Sequence, residues 1–232
     1  MKNLTVGRGR TVRVGTWRGK SEIAIVATFV DQPLNTSAVR AIIERLRKRG
    51  FERVITAALT ASEQTAFLDC GFSRMRDLAL LKRRLDTPPP RAEMRLRRWR
   101  RRRYDDILRV DSAAFDEFWR FDHTALREAM HATPHRLLRV DSTVAPTGYA
   151  LSGVSRDKGY LQRLAVEPAG AGRGLGSALL LDALRWMRWR GAEEAFVNTQ
   201  HDNDRALALY QRHGFDTEQS GLAILGLDLV DR

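Results

Sequence analysis

Apolar residues in the first 86 positions recur at the spacings of both helices and strands. A helix is predicted over 36–49 because its apolar residues share one face and a glycine follows. These apolar residues are Val39, Ile42, Ile43 and Leu46. A shorter helix is predicted over 62–69, and strands over 11–15, 22–30, 53–59 and 76–85. This half of the chain therefore has an α/β pattern.

The pattern from residue 91 onward is also α/β. Strands are predicted over 94–99, 137–140, 147–152, 160–166, 192–199 and 222–229. Helices are predicted over 104–114, near 126–131 and over 203–213, and a long one follows a glycine-rich segment and closes at Gly191. In the strand 160–166, strict alternation places four residues on one face: Tyr160, Gln162, Leu164 and Val166.

The two halves share one order of elements, which indicates an internal repeat. Helix, Gly50, strand, helix, Gly71-Phe72 and strand correspond to helix, Gly191, strand, helix, Gly214-Phe215 and strand. The offset is 141 residues at the first glycine and 143 at the second. Between the halves, Pro88 to Pro90 favour an extended spacer. We predict two related α/β domains, 1–86 and 91–232, joined by a linker over 87–90.

Charge is distributed unevenly along the chain. The net charge is +12, but residues 1–86 carry 17 basic and 8 acidic side chains, and residues 91–103 carry eight arginines and one glutamate. The remaining 104–232 carry 15 basic and 19 acidic residues. A nucleic-acid role would therefore belong to the amino half or the junction. Cys70 alone can form neither an internal disulfide nor a cysteine metal site, and no transmembrane or secretory segment is recognisable. We expect a cytoplasmic protein without membrane association and without a metal site.

The strand 160–166 continues into a segment with four glycines, Gly170, Gly172, Gly174 and Gly176, and then into a helix. Such a segment is either a flexible turn or a phosphate cradle, in which backbone N–H groups and a helix N-terminus face an anion. Leu175 follows Gly174, so the Gly-Lys-Ser/Thr signature of nucleotide hydrolases is absent. The dinucleotide fingerprint also fits poorly, because Ser177 stands where glycine or alanine is expected. Coenzyme A remains as the phosphate ligand.

Two motifs resemble the GNAT superfamily of acyl-CoA-dependent N-acetyltransferases. The segment Leu164-Ala165-Val166-Glu167-Pro168 followed by Gly172-Arg173-Gly174-Leu175-Gly176 resembles the family's strand and pyrophosphate loop. The segment from Asn203 through Tyr210 to Gly214-Phe215 resembles its second motif. One departure is Ala171, which stands where the family has glutamine or arginine. The resemblance covers 91–232 and implies a mixed, largely antiparallel sheet flanked by helices, in both domains if the repeat is genuine.

The resemblance also implies a set of cofactor-binding residues. Main-chain groups near Leu164 and Val166 would engage the thioester and pantetheine of acetyl-CoA, with an N–H stabilising the oxyanion. The implied cofactor-binding residues are Leu164, Val166, Gly172, Arg173, Gly174, Leu175, Gly176, Ser177, Asn203 and Tyr210. Tyr210 would be catalytic and donate a proton to the departing thiolate; alternatively its ring only packs on the inner face of its helix.

Other candidate residues have two interpretations each. Asn203 is an N-cap, a cofactor contact or both. In GNAT enzymes that resemble the ribosomal-protein amino-terminal acetyltransferases, a glutamate lies five residues before the motif asparagine and would act as the general base. Asn198 stands at that position here, and its amide cannot take a proton. The remaining candidates for a general base are each equally explained as surface residues: Glu117, Asp122, His123 and His201. The segment 115–122 holds four aromatics and could line an amine site or pack on the core.

The first half lacks the features of the glycine loop. At the corresponding place it has Val30-Asp31-Gln32-Pro33-Leu34-Asn35, without glycine. Thr60 replaces Asn203 and Phe67 replaces Tyr210 at the offset of 143. We therefore predict that 1–86 is a degenerate GNAT-like domain with a structural or partner-binding role.

The arginine run from Arg97 to Arg103 competes with the acetyltransferase interpretation. It could bind RNA, DNA or the ribosome by charge, with Trp99 stacking on a base; it could contact the phosphates of CoA, or be a solvated surface. The leading expectation is an N-acetyltransferase that moves acetyl from acetyl-CoA to a primary amine of a protein, peptide or small molecule in a ternary complex. The alternative is a non-catalytic module that senses acyl-CoA or docks on RNA or the ribosome.

Overall fold

The computed structural model describes residues 1–6, 10–28, 34–100 and 104–230. The predictions for Val30, Asp31, Gln32 and Pro33 of the first-half loop, and for Arg101 to Arg103 of the arginine run, lie outside these ranges. No helix in the described ranges is long and apolar enough to cross a membrane.

Strands and helices alternate along both halves of the chain. The strands are β1 Lys2–Val6, β2 Arg10–Trp17, β3 Lys20–Ala27, β4 Arg53–Thr56, β5 Ser73–Arg84, β6 Leu96–Arg98, β7 His135–Asp141, β8 Gly148–Ser155, β9 Lys158–Val166, β10 Glu194–Gln200, β11 Asp216–Thr217 and β12 Leu222–Asp228. The α-helices are α1 Thr36–Lys48, α2 Ala61–Leu68, α3 Asp105–Ala114, α4 His123–Met130, α5 Leu175–Trp189 and α6 Asp204–Arg212.

The chain forms two compact units that exchange segments. One unit contains Met1–Leu80, Asn198–Asn203 and Glu218–Arg232, and the other contains Leu81–Val197 and Asp204–Thr217. These bounds differ from the predicted division at 87–90. The difference arises because β12, at the carboxyl end of the chain, pairs with β4 and with the start of β5.

The first unit is a mixed sheet with helices α1 and α2. Its strand order is β1, β2, β3, β4, β12 and the first part of β5. All neighbours are antiparallel except β3 and β4, which are parallel as expected for strands joined through a helix. The apolar stripe of α1 packs with β-strand residues such as Val26, Val54 and Leu225 into one core. Hydrophobic burial of this stripe is what positions α1 on its sheet.

The second unit repeats this plan. Its strand order is β11, the end of β5, β10, β9, β8, β7 and β6. Strands β6 to β9 are antiparallel, whereas β9 and β10, joined through α5, are parallel. Helix α5 packs on β8 and β9, and α3 and α4 contribute Ile107, Val110 and Leu126 to a core with β7, β8 and β9. The predicted α/β class, with largely antiparallel sheets and flanking helices, is confirmed.

Local geometry supports the internal repeat. Gly50 and Gly191 both have positive φ, at 79° and 87°, and so do Gly71 and Gly214, at 87° and 74°. The ring pairs that follow also correspond. Phe67 meets Phe72 with ring centroids 5.1 Å apart, and Tyr210 meets Phe215 at 5.7 Å. Glycine suits each of these turns because an L side chain rarely adopts positive φ.

Side chains cap the starts of both helices of the first unit. The Asn35 side chain accepts a hydrogen bond from the Ala38 N–H at 3.0 Å at the start of α1. Thr60, the counterpart of Asn203, forms a capping box with Glu63 at the start of α2. The strands β1 and β11 and the short 3₁₀ turn Pro168–Gly170 are elements that the sequence pattern did not predict.

Candidate functional site

The glycine loop lies between the end of β9 and the start of α5. Gly172 and Gly174 have φ of 77° and 82°, and Gly174 immediately precedes the first helical residue. A Cβ atom at either glycine would meet nothing within 4 Å. Both glycines are therefore required by backbone conformation rather than by crowding, and the space in front of them is open.

Leu175 fixes the loop to the sheet. It is buried, and its side chain lies so close to Gly148 of β8 that a Cβ there would come within 2.8 Å of it. Gly172, Arg173 and Gly174 are exposed by contrast. The loop thus has an anchored end and an exposed, cationic turn.

The start of α5 provides backbone donors. The Ala178 N–H is the first to bond within the helix, to the Gly174 carbonyl at 2.9 Å. The N–H groups of Leu175, Gly176 and Ser177 precede it, and such groups have no carbonyl one turn earlier in the helix. Together with the helix dipole they favour an anion at this end.

Ser177 is also hydrogen-bonded to a histidine. Its hydroxyl lies 3.0 Å from the His213 Nε2, at the end of α6. Burial lowers the pKa of His213, and the positive charges of Arg212 and Arg83 lower it further. A neutral imidazole therefore orients the Ser177 hydroxyl. Sequence reasoning missed this contact of His213 with Ser177, because it depends on tertiary packing.

Strand β9 has two different edges. It pairs with β8 along its whole length, but its pairing with β10 covers only Lys158, Gly159 and Tyr160. Tyr160 stacks on Phe196 of β10 at the point where this pairing ends, with ring centroids 6.0 Å apart. From Leu161 to Val166, no strand in the described part of the chain pairs with the β10 side of β9. The main-chain groups of that stretch that face the β10 side are consequently available to a ligand, whereas those on the other edge pair with β8.

A bulge in β9 corrects the predicted alternation. The register pairs Leu151 with Arg163 and Ser152 with Leu161, so Gln162 is an extra residue. The extra residue shifts the alternation of side chains by one position, so residues after Gln162 lie on the face opposite to the one that strict alternation predicts. Leu164 and Val166 share the face of Leu161, toward α5, and Tyr160 does not. The prediction that Tyr160, Leu164 and Val166 lie on one face was wrong for this reason.

Tyr210 lies on α6 and is 5% exposed. Its ring contacts Phe215, as the interpretation based on core packing predicted. Burial raises the pKa of its hydroxyl well above the ordinary value, and the positive charge of Arg163 offsets part of this rise. The hydroxyl therefore keeps its proton at neutral pH.

Asn203 and the candidate bases have distinct surroundings. Asn203 precedes α6 and belongs to the first unit, where its amide donates to the Gln200 Oε1 at 3.5 Å.

The Asp122 carboxylate accepts the Ala125 N–H at 2.6 Å and caps α4. His123 lies 3.1 Å from Asp105, with both side chains largely exposed. Glu117 and His201 are exposed.

Sequence reasoning missed a buried ion pair in the second unit. Asp111 of α3 is fully buried, and Arg163 of β9 is 9% exposed. The guanidinium also lies between the rings of Phe115 and Phe121, at 3.5 and 4.1 Å from their centroids. Two of the four aromatics in 115–122 therefore contact a cation of the protein itself. A signal was present: Asp111 falls four residues after Ile107 on the buried stripe of α3, where a carboxylate needs a partner.

The proposed stacking of Trp99 on a base was wrong. Trp99 is 6% exposed and belongs to the core of α3, α4 and their strands. The main-chain N–H of Trp99 donates to the Leu138 carbonyl at 2.9 Å, directly after β6, and the indole packs inward. Arg97 donates to the Thr143 carbonyl at 3.1 Å. Nucleic-acid binding by Arg98, Arg100 and the arginines that follow stays a prediction.

A cavity of about 400 Å³ lies at the other end of α5, lined by Pro88, Pro89, Arg185, Arg188 and Trp189. No group of three or more His, Cys, Asp or Glu residues in the described ranges is arranged to hold a metal ion.

Comparisons with known proteins identify the family of the chain. A family model described as "Acetyltransferase (GNAT) family" matches residues 94–215. The chain is 30% identical over 172 residues to a mycothiol acetyltransferase of Saccharomonospora viridis, covering 65% of this chain and 56% of that protein. The chain also matches mycothiol acetyltransferases of Nocardioides and Rhodococcus erythropolis, over 59% and 54% of the length of those proteins. The chain thus spans little more than half the length of these curated relatives.

Solved structures share the fold. A GCN5-related N-acetyltransferase from Sphaerobacter thermophilus matches 95% of this chain and 77% of its own, with a TM-score of 0.65 and 21% identity. A tandem GNAT protein from the clavulanic acid biosynthesis pathway matches 97% and 82%, with a TM-score of 0.67 and 15% identity. At these identities the likeness concerns the fold alone.

Proposed function

Because the chain belongs to the acetyltransferase (GNAT) family, we propose that it transfers an acetyl group from acetyl-CoA to a primary amine. One feature of the second unit carries this proposal. Strand β9 loses its pairing with β10 after Tyr160 and then runs directly into the glycine loop and the start of α5. This arrangement offers main-chain groups for a thioester arm and helix N–H groups for a pyrophosphate on one continuous segment.

The residues of that segment fit coenzyme A. The exposed turn at Gly172 and Gly174 leaves open space in front of the backbone, and the N–H groups at the start of α5 favour a phosphate. Arg173 adds a positive charge, which compensates in part for Ala171, the position at which the GNAT motif that this loop resembles is expected to have glutamine or arginine. We assign Leu175, Gly176 and Ser177 to the same phosphate site, with Ser177 oriented by His213.

Acetyl-CoA supplies the activated acetyl group as a thioester. We assign to the N–H groups of Leu164 and Val166, which are two residues apart and so point to the same edge of β9, the binding of the thioester carbonyl and the pantetheine arm. A donor at the carbonyl oxygen stabilises the negative charge that develops there when an amine attacks.

Tyr210 is the proposed general acid. Its buried phenol keeps its proton at neutral pH, so it can donate that proton to the departing thiolate. Asn203, directly before α6, is proposed as a polar contact of the cofactor. The incoming ammonium must lose its proton first, and Asn198 offers no base. Water or an exposed carboxylate such as Glu117 would then take this proton.

The acceptor is proposed to be a primary amine of a small molecule, a peptide or a protein. The curated relatives are named mycothiol acetyltransferases, so mycothiol-related amines belong in the panel of candidates. Polyamines, lysine peptides and free peptide amino termini complete the panel.

Thiol release from acetyl-CoA, measured against this panel with both substrates varied, tests the proposal. Direct attack in a ternary complex predicts intersecting double-reciprocal plots and a product acetylated on nitrogen. A covalent acetyl-enzyme would instead give parallel plots. Thiol release at one rate with and without every amine would contradict amine acetylation.

A further inference from the structure

The ion pair of Asp111 and Arg163 is saturated with hydrogen bonds. The Arg163 Nε donates to the Asp111 Oδ2 at 2.7 Å, and its terminal nitrogen to Oδ1 at 2.8 Å. The Tyr149 hydroxyl donates to Oδ2 at 2.5 Å, and the Phe121 N–H donates to Oδ1 at 2.7 Å. A buried carboxylate with four donors is fully compensated for the water it has lost.

The same pair holds the segment 115–122 at several points. The Arg163 guanidinium donates to the Trp119 carbonyl at 2.6 Å and lies between the rings of Phe115 and Phe121. Asp111 contacts the segment through the Phe121 N–H. Two buried charged side chains, Asp111 of α3 and Arg163 of β9, thus hold the backbone between α3 and α4. Its conformation depends on them.

The bulge at Gln162 brings Arg163 to this position. Without the extra residue, Arg163 would share the face of Leu161 and lie toward α5. With it, Arg163 lies toward α3, while its neighbour Leu164 lies toward α5. One short stretch of β9 therefore carries a proposed thioester contact and, on its opposite face, the attachment of 115–122.

Building on the proposed acetyl transfer, we propose that Arg163 is a positioning residue that fixes the segment 115–122 as the acceptor-side wall of the site. The rings of Phe115 and Phe121 are engaged by this guanidinium, so other groups recognise the acceptor. A looser segment 115–122 would weaken acceptor binding but leave acetyl-CoA binding on the other face of β9 unchanged.

Arg163→Lys, Arg163→Met and Tyr149→Phe test this role. The lysine keeps the charge but loses the planar fork that bonds to Asp111 and Trp119 together. Tyr149→Phe removes one donor to Asp111 and keeps the pair, so it is the milder change. The matched control is Arg139→Met, which breaks the half-buried pair of Arg139 and Asp182 at 2.7 Å, between β7 and α5 in the same unit.

Four quantities are measured for each variant: hydrogen exchange of the amides in 115–122, the Kd for acetyl-CoA, and the KM and kcat for the best amine of the panel. Both Arg163 variants should speed exchange in 115–122 and raise the acceptor KM about tenfold to a hundredfold. The Kd for acetyl-CoA should change by less than about twofold. Tyr149→Phe should shift the same quantities by smaller factors, and Arg139→Met should shift neither exchange in 115–122 nor the acceptor KM.

Wild-type exchange of 115–122 in Arg163→Lys or, if both Arg163 variants fail to fold, in Tyr149→Phe would overturn the proposal. So would faster exchange with an unchanged acceptor KM, or an equal effect of Arg139→Met. The exchange and Kd measurements need no acceptor. If no amine is acetylated, the proposed function fails, and the attachment of 115–122 is judged on exchange alone, where a wild-type rate overturns it.

Discussion

Substitution of Gly174 tests the phosphate site with a magnitude that the structure supplies. Gly174 has φ of 82°, and a Cβ there would meet no atom within 4 Å. Gly174→Glu therefore introduces no clash and costs only the left-handed backbone conformation, roughly 1–2 kcal/mol. A domain stable by about 5–15 kcal/mol remains folded after such a loss. The new carboxylate, however, projects into the open space proposed for the pyrophosphate.

The expected effect on binding follows from charge repulsion. Two unit negative charges about 5 Å apart in an effective dielectric of about 20 repel each other by about 3 kcal/mol. This energy corresponds to roughly a hundredfold increase in Kd. Gly174→Gln is the matched control, because it has the same backbone strain and nearly the same side-chain volume without the charge.

Isothermal titration of CoA into both variants measures the difference, and thermal unfolding verifies that both are folded. The Gln variant should lose modest affinity and the Glu variant about a hundredfold more. A Glu variant that is folded and binds CoA within about threefold of the Gln variant would refute the placement of the pyrophosphate at this loop.

Two further predictions concern stability. Burial and the charges of Arg212 and Arg83 lower the pKa of His213, so the unfolded chain takes up the proton first as the pH falls. The free energy of unfolding, measured in urea, should therefore drop below about pH 6.5 more steeply for the wild type than for His213→Gln; equal slopes would contradict this account. Trp99→Ala should cost about 3–5 kcal/mol because the indole is a core residue. Trp189→Ala, at a side chain 73% exposed, should cost less than about 0.5 kcal/mol, and equal losses would contradict the burial of Trp99.

Most elements of the fold were predictable because their apolar periodicity is strong. The stripe of α1 and the glycines that end α1 and α5 placed these helices to within a residue or two at each end. The glycine loop was recognisable from spacing alone, since positive φ at Gly172 and Gly174 requires glycine. The strand exchange was not predictable, because the pairing of β12 with β4 joins residues far apart in sequence and leaves no local signal.

The sequence predicted the part of the site that consists of backbone groups, the glycine loop, but not the side-chain contacts around it. The bulge at Gln162 has no sequence signal of its own, yet it decides which face of β9 carries Leu164 and which carries Arg163. Stacking of Trp99 on a base was one of several interpretations of the arginine run, and only the tertiary packing of its indole excludes it. Asp111 is the converse case, since a carboxylate on a buried helical stripe predicts a buried cation but does not say which one.

The most direct test of the proposed enzyme is the rate of acetyl transfer by Tyr210→Phe. This variant keeps the ring that packs on Phe215 and removes the proton that Tyr210 would donate to the thiolate. Amine-dependent thiol release should fall about tenfold to a thousandfold, with the Kd for acetyl-CoA unchanged. A folded variant that binds acetyl-CoA and acetylates the best amine at the wild-type rate, under conditions where chemistry limits turnover, would contradict the role of Tyr210. A wild-type protein that binds acetyl-CoA and acetylates no amine of the panel would contradict the enzyme itself and favour a sensor of acyl-CoA.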